Sequence, residues 1–415
     1  MNMITPQNIK ECFANTPQIT FEITERCNLN CKYCGYGELY NNKSHKHNRD
    51  LDIKNAICLL NSIQNLWNEG FDSTGETTIY ISFYGGEPLL NMPFIKSIIS
   101  FIEKNMSSYG KKFCYTMTTN AILLRKHIEY LVEKDFQILI SLDGDEHATS
   151  YRTYHNNKPA FHDIVANIDY IKFNYGDFFE NNIAFNSVLS NCATVEGIIH
   201  YIYSKYHKIP TVSEINNVGI REDKRHIFNE MYRPKISYLN EEMGRTFDDM
   251  KFPYSPQFER IAKYFQMYSP YFFFDYNELL FLSNENRKKT PTGTCMPFSK
   301  KTFMTVDGKI MPCERIGYNY VLGNIKDGLL NLNFQDIASL YNSYYERILR
   351  ICTKCKDYIG CQNCFFNTGQ LESSNGTCNY FVSQREFDAM KNEAYNFIRR
   401  YPEAYEYIMT KYEVI

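Results

Sequence analysis

Cys27, Cys31 and Cys34 stand in Thr24-Glu-Arg-Cys-Asn-Leu-Asn-Cys-Lys-Tyr-Cys34, with no fourth cysteine close by. A structural zinc site wants a closed set of four ligands, and protein-held iron–sulfur clusters usually take four cysteines. Three thiolates on a four-iron cluster leave one iron open to a ligand that is not protein, and reaction chemistry can begin there. A second group is Phe83-Tyr-Gly-Gly-Glu-Pro88, where two glycines let backbone approach a ligand closely and Glu87 adds a carboxylate. The same residues also read as a plain turn before a helix. Seven further cysteines lie toward the other end: Cys295, Cys313, Cys352, Cys355, Cys361, Cys364 and Cys378. Paired Cys-x2-Cys is a zinc signature, yet seven ligands suit neither one zinc site nor two complete four-cysteine sites.

Such groups need elements to position them. Gln18–Thr24 alternates as a strand, and the 52–67 segment carries Ile53, Ala56, Ile57, Leu60, Ile63 and Leu66 at helical spacing. The pairing of strand and helix recurs at 78–84 with 93–106, 113–119 with 122–133, 136–142 with 161–173, and 183–189 with 195–206. A weaker strand follows at 211–218. Strands alternating with helices imply a parallel sheet with right-handed crossovers. The expected fold class is therefore α/β, a full or partial (β/α)6 barrel over residues 1–220. Reactive groups in barrels collect at the C-terminal ends of strands, where Cys27 to Cys34 and the glycine turn fall. Beyond it we expect a helical connection at 221–294, a cysteine-rich unit at 295–380 and terminal helices at 381–415.

Composition bounds the function. Lys and Arg number 45 against 47 Asp and Glu, a net charge of −2, so no global field draws the chain to nucleic acid or an anionic membrane. No apolar run is long enough for a membrane span, and no export signal opens the sequence. Fourteen cysteines in a large chain without such a signal favour a reduced, cytoplasmic setting and metal binding over disulfides. Cys12, Cys58, Cys114 and Cys192 stand apart, and Cys58 and Cys114 read as small buried apolar residues. His45 and His47 lie in a polar stretch that reads as a solvated loop. Tyr271–Phe281 is aromatic and reads as core or groove lining.

Together the Cys-x3-Cys-x2-Cys triplet, with Tyr33 before its last cysteine, and the Gly-Gly-Glu-Pro turn resemble the radical S-adenosylmethionine (radical SAM) superfamily over roughly residues 15–220. The resemblance implies that Cys27, Cys31 and Cys34 hold a [4Fe-4S] cluster whose open iron is chelated by S-adenosylmethionine. An electron from the cluster would then release a hydrogen-abstracting 5′-deoxyadenosyl radical. By the same likeness Gly85, Gly86 and Glu87 receive the methionine amino group, and the backbone at Tyr33 approaches the adenine. Thr118-Thr119-Asn120 and Ser141-Leu-Asp143-Gly lie where relatives touch ribose and carboxylate. Arg152 is the candidate partner of the methionine carboxylate, by bidentate pairing, or else an ordinary surface ion pair.

The distal cysteines resemble the SPASM extension of radical SAM enzymes that modify peptides, although Cys361-x2-Cys364 is one residue shorter than usual. The resemblance implies two auxiliary iron–sulfur clusters. Cys352, Cys355, Cys361 and Cys378 would hold the outer one; Cys295, Cys313 and Cys364 would hold an inner one that lacks a fourth cysteine and is open to a non-cysteine ligand. Glu314 stands where sulfatase-maturing relatives carry an aspartate base, or is a structural glutamate paired through Arg315. The implied function is modification of a ribosomally made precursor peptide, with sulfatase maturation to formylglycine as the alternative. A flavodoxin- or ferredoxin-type donor is the implied reductant. Only twenty-six residues precede Cys27, too few for a winged-helix-like leader-recognition domain, so the leader is expected on the barrel–SPASM connection or on a separate protein.

Overall fold

A computed structural model describes residues 4–40, 48–72, 78–217, 219–234, 256–269, 291–368 and 378–410. The His45/His47 stretch and the Tyr271–Phe281 run lie outside these residues.

Six parallel strands are laid down in chain order: β1 (Gln18–Thr24), β2 (Thr78–Gly85), β3 (Lys112–Thr119), β4 (Gln137–Ser141), β5 (Ile183–Leu189) and β6 (Thr211–Glu214). The intervening helices include Ile53–Leu66, Met92–Asn105, Leu124–Glu133, Phe161–Asn174 and Val195–Tyr206, within a residue or two of their sequence-based bounds. Asp52 caps the first of them by accepting from the Lys54 amide, and Thr194 caps the last through the Gly197 amide. A short helix, Gly176–Asn182, was not expected.

Burial alternates along the strands with period two. On β2, Ile79, Ile81 and Phe83 are buried, while Tyr80, Ser82 and Tyr84 are more open. The covered face packs on the helices, as where the Phe21 ring meets Phe94 at 6.3 Å. The other face is rich in hydroxyl groups, with Ser82, Thr116, Thr118 and Ser141 all half-buried. Parallel sheets are normally covered by apolar residues on both sides, so this polar face marks a place for a ligand. Cys114 lies on it and is half-buried, as is Cys58, so neither is the fully buried filler that the sequence suggested.

The sheet does not stop at β1. Four further strands extend it in the order β10-β9-β8-β7-β1: β7 (Thr302–Met304), β8 (Lys309–Met311), β9 (Gly323–Lys326) and β10 (Leu329–Leu332). β7 runs parallel to β1 in the register Ile19↔Thr302, and the rest are antiparallel hairpins. An open barrel leaves the edge of β1 unpaired, and these hairpins cover it. Consequently the segment expected as one cysteine-rich unit at 295–380 is divided. Met296–Ile337 folds with Pro6–Pro234 as one compact unit. The described residues of Met1–Thr5, Lys235–Cys295 and Ala338–Ile415 form a second. In the second unit the helices Pro256–Tyr268, Gln384–Arg400 and Pro402–Thr410 share a core of Phe258, Ile261, Phe265, Phe397 and Ile408. A Ser383–Glu386 capping box starts Gln384–Arg400. None of the described helices is long and apolar enough to cross a membrane.

Candidate active site

The cysteine loop after β1 is held by the segment after β4. The amides of Asn30 and Lys32 donate to the carbonyls of Thr153 (2.7 Å) and Tyr151 (3.1 Å). His155 Nε2 lies 2.9 Å from the Cys27 carbonyl. Within the loop, amides turn toward sulfur: Leu29 N onto Cys27 Sγ and Tyr36 N onto Cys34 Sγ, both at 3.4 Å. Hydrogen bonds of this kind favour the thiolate, the form that binds metal. Against them, burial first and the carboxylate of Glu87 second push the Cys27 thiol up to about 12, with Cys34 and Cys31 adding smaller contributions. Among the described residues no three His, Cys, Asp or Glu side chains converge on a point fit for a single metal ion. Thiols that bind separate irons of a cluster need not converge in that way.

The glycine turn is dictated by backbone crowding. A Cβ at Gly85, whose φ is 136°, would fall 2.3 Å from the Thr24 carbonyl oxygen, and one at Gly86 would fall 2.1 Å from that of Arg26. Gly86 N donates to Thr24 O (2.9 Å) and Glu87 N to Arg26 O (2.8 Å). These amides are thus spent inside the protein, and what the turn can offer an amino group is carbonyl oxygen.

The Glu87 side chain points inward. Its carboxylate is fully buried and accepts from Leu89 N (3.1 Å), Thr119 Oγ1 (2.8 Å) and Asn120 N (2.8 Å), so it clamps the end of β2 to the end of β3. Asn120 carries the clamp onward, with Nδ2 2.8 Å from Asn28 Oδ1 and 3.7 Å from Cys27 Sγ. Burial lifts the Glu87 carboxyl to about 7 despite those three donors. A folded-state value above the unfolded one means that the folded chain holds the extra proton. Its contribution to stability is therefore fullest below about 4.5 and declines as pH rises to about 7. In denaturant unfolding of the apo chain, wild type should lose stability between about pH 5 and about pH 8 relative to Glu87→Gln. A constant difference would contradict this account.

Asp143 and Arg152 form a buried pair, with Arg152 Nε 2.9 Å from Oδ2 and Nη2 2.8 Å from Oδ1. Asp143 also accepts from Val188 N (2.8 Å) and from the Tyr33 hydroxyl. The surface ion pair considered for Arg152 is thereby replaced by an interior one, and its bidentate edge faces Asp143. The Tyr33 ring packs edge-on against Tyr151 at 6.4 Å. Ser141 ends β4, half-buried on the open face.

Glu314 follows β8 in the same unit. Both its oxygens lie 3.0 Å from Lys301 Nζ, while Arg315 stands 4.0 Å away and largely exposed. Burial raises its carboxyl, but the Lys301 charge outweighs that and holds it below the usual range. Its ion-pair partner is thus Lys301, not the adjacent Arg315. Cys313, whose Sγ accepts from Arg315 N at 3.3 Å, lies 3.6 Å from Glu314 Oε2.

In the second unit, Cys378 lies near enough to Cys361 and Cys355 to feel their charge. Val382 N donates to Cys355 Sγ and Tyr380 N to Cys378 Sγ, both at 3.4 Å. Cys352 is buried at the end of the helix Phe334–Cys352. Cys295 and Cys364 also feel each other. Their loops are stitched by Gly293 N to Asn363 O (2.9 Å) and by Phe365 N to Thr294 Oγ1 (2.8 Å). Amides aimed at sulfur at Cys27, Cys34, Cys313, Cys355, Cys364 and Cys378 are a donor chemistry that suits thiolate-held clusters.

One group escaped the sequence reading. Glu22, buried in mid-β1, accepts from Tyr318 Oη (2.9 Å) and Val306 N (3.0 Å), and its charge reaches the buried Tyr36 phenol. It ties mid-β1 to the residues after Cys313. A carboxylate within an alternating strand was visible, but its partner lies 296 residues away. Glu22→Ala strands those donors, and we expect about 3 kcal/mol lost in denaturant unfolding, partly recovered by adding Tyr318→Phe. A loss below about 1 kcal/mol would contradict the contact.

Comparison with known proteins assigns the sheet and its loops. The radical SAM superfamily model matches residues 21–177. That segment is a radical SAM domain. An uncharacterised protein of Methanocaldococcus jannaschii is 36% identical over 37% of the chain and 48% of its own length. The radical SAM cyclopropyl synthase TigE of Paramaledivibacter caminithermalis is 28% identical over 41% of the chain and 35% of its own length. The chain thus spans about half or less of these two curated relatives. A cysteine-type anaerobic sulfatase-maturating enzyme of Clostridium novyi is 24% identical over 82% of the chain and 83% of its length. The fold is that of anSMEcpe. The structure with bound AdoMet has a TM-score of 0.57 at 16% identity, covering 95% of this chain and 99% of that one. The one with AdoMet and the Cp18Cys peptide has a TM-score of 0.60 at 15% identity, covering 94% and 98%.

Proposed function

We propose that the chain is a radical SAM enzyme that installs a cross-link or an epimerised residue on a ribosomally made precursor peptide. The observation that carries this reading is the junction of the cysteine loop with the glycine turn at the strand ends, beside a hydroxyl-rich sheet face. A [4Fe-4S] cluster with S-adenosylmethionine, held by Cys27, Cys31 and Cys34, supplies a hydrogen-abstracting radical there when bound. The carbonyls at Gly85 and Gly86 would receive the methionine amino group, since the amides of Gly86 and Glu87 are already spent. Glu87, Asn120 and Asp143 act through what they hold: they fix the turn, the cysteine loop and Tyr33, whose backbone would approach the adenine. Arg152, charged beside Asp143, would pair with the methionine carboxylate. Ionised by Lys301, Glu314 accepts a proton from the substrate. The C-terminal cysteines would hold two auxiliary clusters in a SPASM-type region, and a flavodoxin- or ferredoxin-type donor is the proposed reductant. A separate leader-recognition protein is a proposed partner.

A second reading, maturation of a sulfatase cysteine or serine to formylglycine, is favoured by the similarity of the Clostridium novyi enzyme over most of both chains. Anaerobic co-expression with a candidate precursor peptide and, separately, with a cysteine-containing sulfatase peptide, followed by mass spectrometry, separates the two. A mass loss of hydrogen, or deuterium uptake at one residue, supports the first reading. Formylglycine in a cysteine-containing sulfatase peptide, with the precursor untouched, overturns it.

A further inference from the structure

Tyr341 is fully buried in the helix Phe334–Cys352, and its hydroxyl has no hydrogen-bond partner among the described residues. A buried phenol stranded in this way is costly, and the same ring without the hydroxyl would pack equally well. Where that hydroxyl lies is informative. The Tyr341 ring sits edge-on to Phe365 at 5.6 Å and to Phe366 at 5.9 Å, the two residues that follow Cys364. Phe365 in turn is bound through its amide to Thr294, the neighbour of Cys295. The cysteines whose charge reaches the phenol are Cys364 and Cys295. Cys364 already carries other polar contacts, being approached by the Phe366 amide and the Thr294 hydroxyl. The orphan hydroxyl is thus a third donor in the neighbourhood of Cys364, among the rings of Tyr345, Phe365 and Phe366.

We propose that the Tyr341 hydroxyl donates a hydrogen bond to a sulfur of the auxiliary cluster held through Cys295 and Cys364. This rests on the reading of the C-terminal cysteines as cluster ligands. A phenol cannot satisfy its proton on a ring face as well as on sulfide or thiolate, and the cluster supplies that acceptor. Hydrogen bonds to cluster sulfur stabilise the more electron-rich state, so they raise the reduction potential. Tyr341 then tunes how readily this cluster accepts an electron, and it does so without touching substrate. It is a positioning and tuning residue, and its signature is electrochemical.

The test uses the full chain, reconstituted anaerobically, with Cys27, Cys31 and Cys34 replaced by alanine so that only auxiliary clusters contribute signals. Redox titration followed by electron paramagnetic resonance compares this protein with the same protein carrying Tyr341→Phe or Tyr344→Phe. Both substitutions keep the ring and hence the packing. We expect unchanged iron content in all three, and one of two midpoint potentials moved to a lower value by Tyr341→Phe alone. Unmoved potentials in Tyr341→Phe overturn the proposal, as does an equal shift in Tyr344→Phe. Chains that bind zinc or no iron here overturn the cluster reading itself, and the proposal with it.

Discussion

Gly86→Ala is expected to abolish the site while leaving the chain able to express. The added Cβ would lie 2.1 Å from the Arg26 carbonyl oxygen and 2.8 Å from that of Glu25, far inside contact distance, and both obstacles are backbone. Relief requires the β2 turn and the loop leading to Cys27 to separate. That breaks the bonds from Gly86 N to Thr24 O and from Glu87 N to Arg26 O. We expect a loss of about 3 kcal/mol or more in unfolding free energy. S-adenosylmethionine affinity should fall by about 100-fold or more, since about 3 kcal/mol is that factor in a dissociation constant. Gly176→Ala is the control. Nothing lies within 4 Å of its added Cβ, so it should change stability by under about 1 kcal/mol. Denaturant unfolding and isothermal titration of the reconstituted protein check both. Near-normal binding by Gly86→Ala would mean that the turn is not the cofactor cradle.

Asp143→Ala should be as damaging by a different route. It leaves the buried Arg152 guanidinium without its counter-charge, and removes the acceptor of Val188 N and of the Tyr33 hydroxyl. Breaking one side of a buried ion pair costs about 3–5 kcal/mol, because the remaining charge is stranded. Tyr33 lies between Cys31 and Cys34, so loss of its anchor also loosens the cysteine loop. The expected result is a destabilised chain that retains less iron after reconstitution. Adding Arg152→Met to Asp143→Ala should restore part of the stability and none of the cofactor binding. Iron analysis with denaturant unfolding reads both effects, and a wild-type iron content in Asp143→Ala would contradict the role.

The strand–helix alternation was legible because β2 to β5 bury every second residue and the helices a stripe along one face, patterns local in sequence. The cysteine triplet and glycine turn were legible because metal ligation and backbone crowding each demand one residue type. What escaped was long-range. The short β7–β10 hairpins carry too few residues to show a period, and only the open edge of β1 explains why they join the sheet. Arg152 stood out in sequence, but the Asp143 carboxylate that claims it comes into view only when β4 and the following loop fold back. Glu314 was visible beside Cys313, whereas its partner Lys301 sits across a hairpin, not next door at Arg315.

The measurement that bears most directly on the central claim is anaerobic reductive cleavage of S-adenosylmethionine by the reconstituted chain. The account predicts 5′-deoxyadenosine and methionine from wild type, and loss of both when Cys27, Cys31 and Cys34 are replaced by alanine with the C-terminal cysteines intact. Cleavage that survives the triple replacement, or none from an iron-loaded wild type, would contradict it.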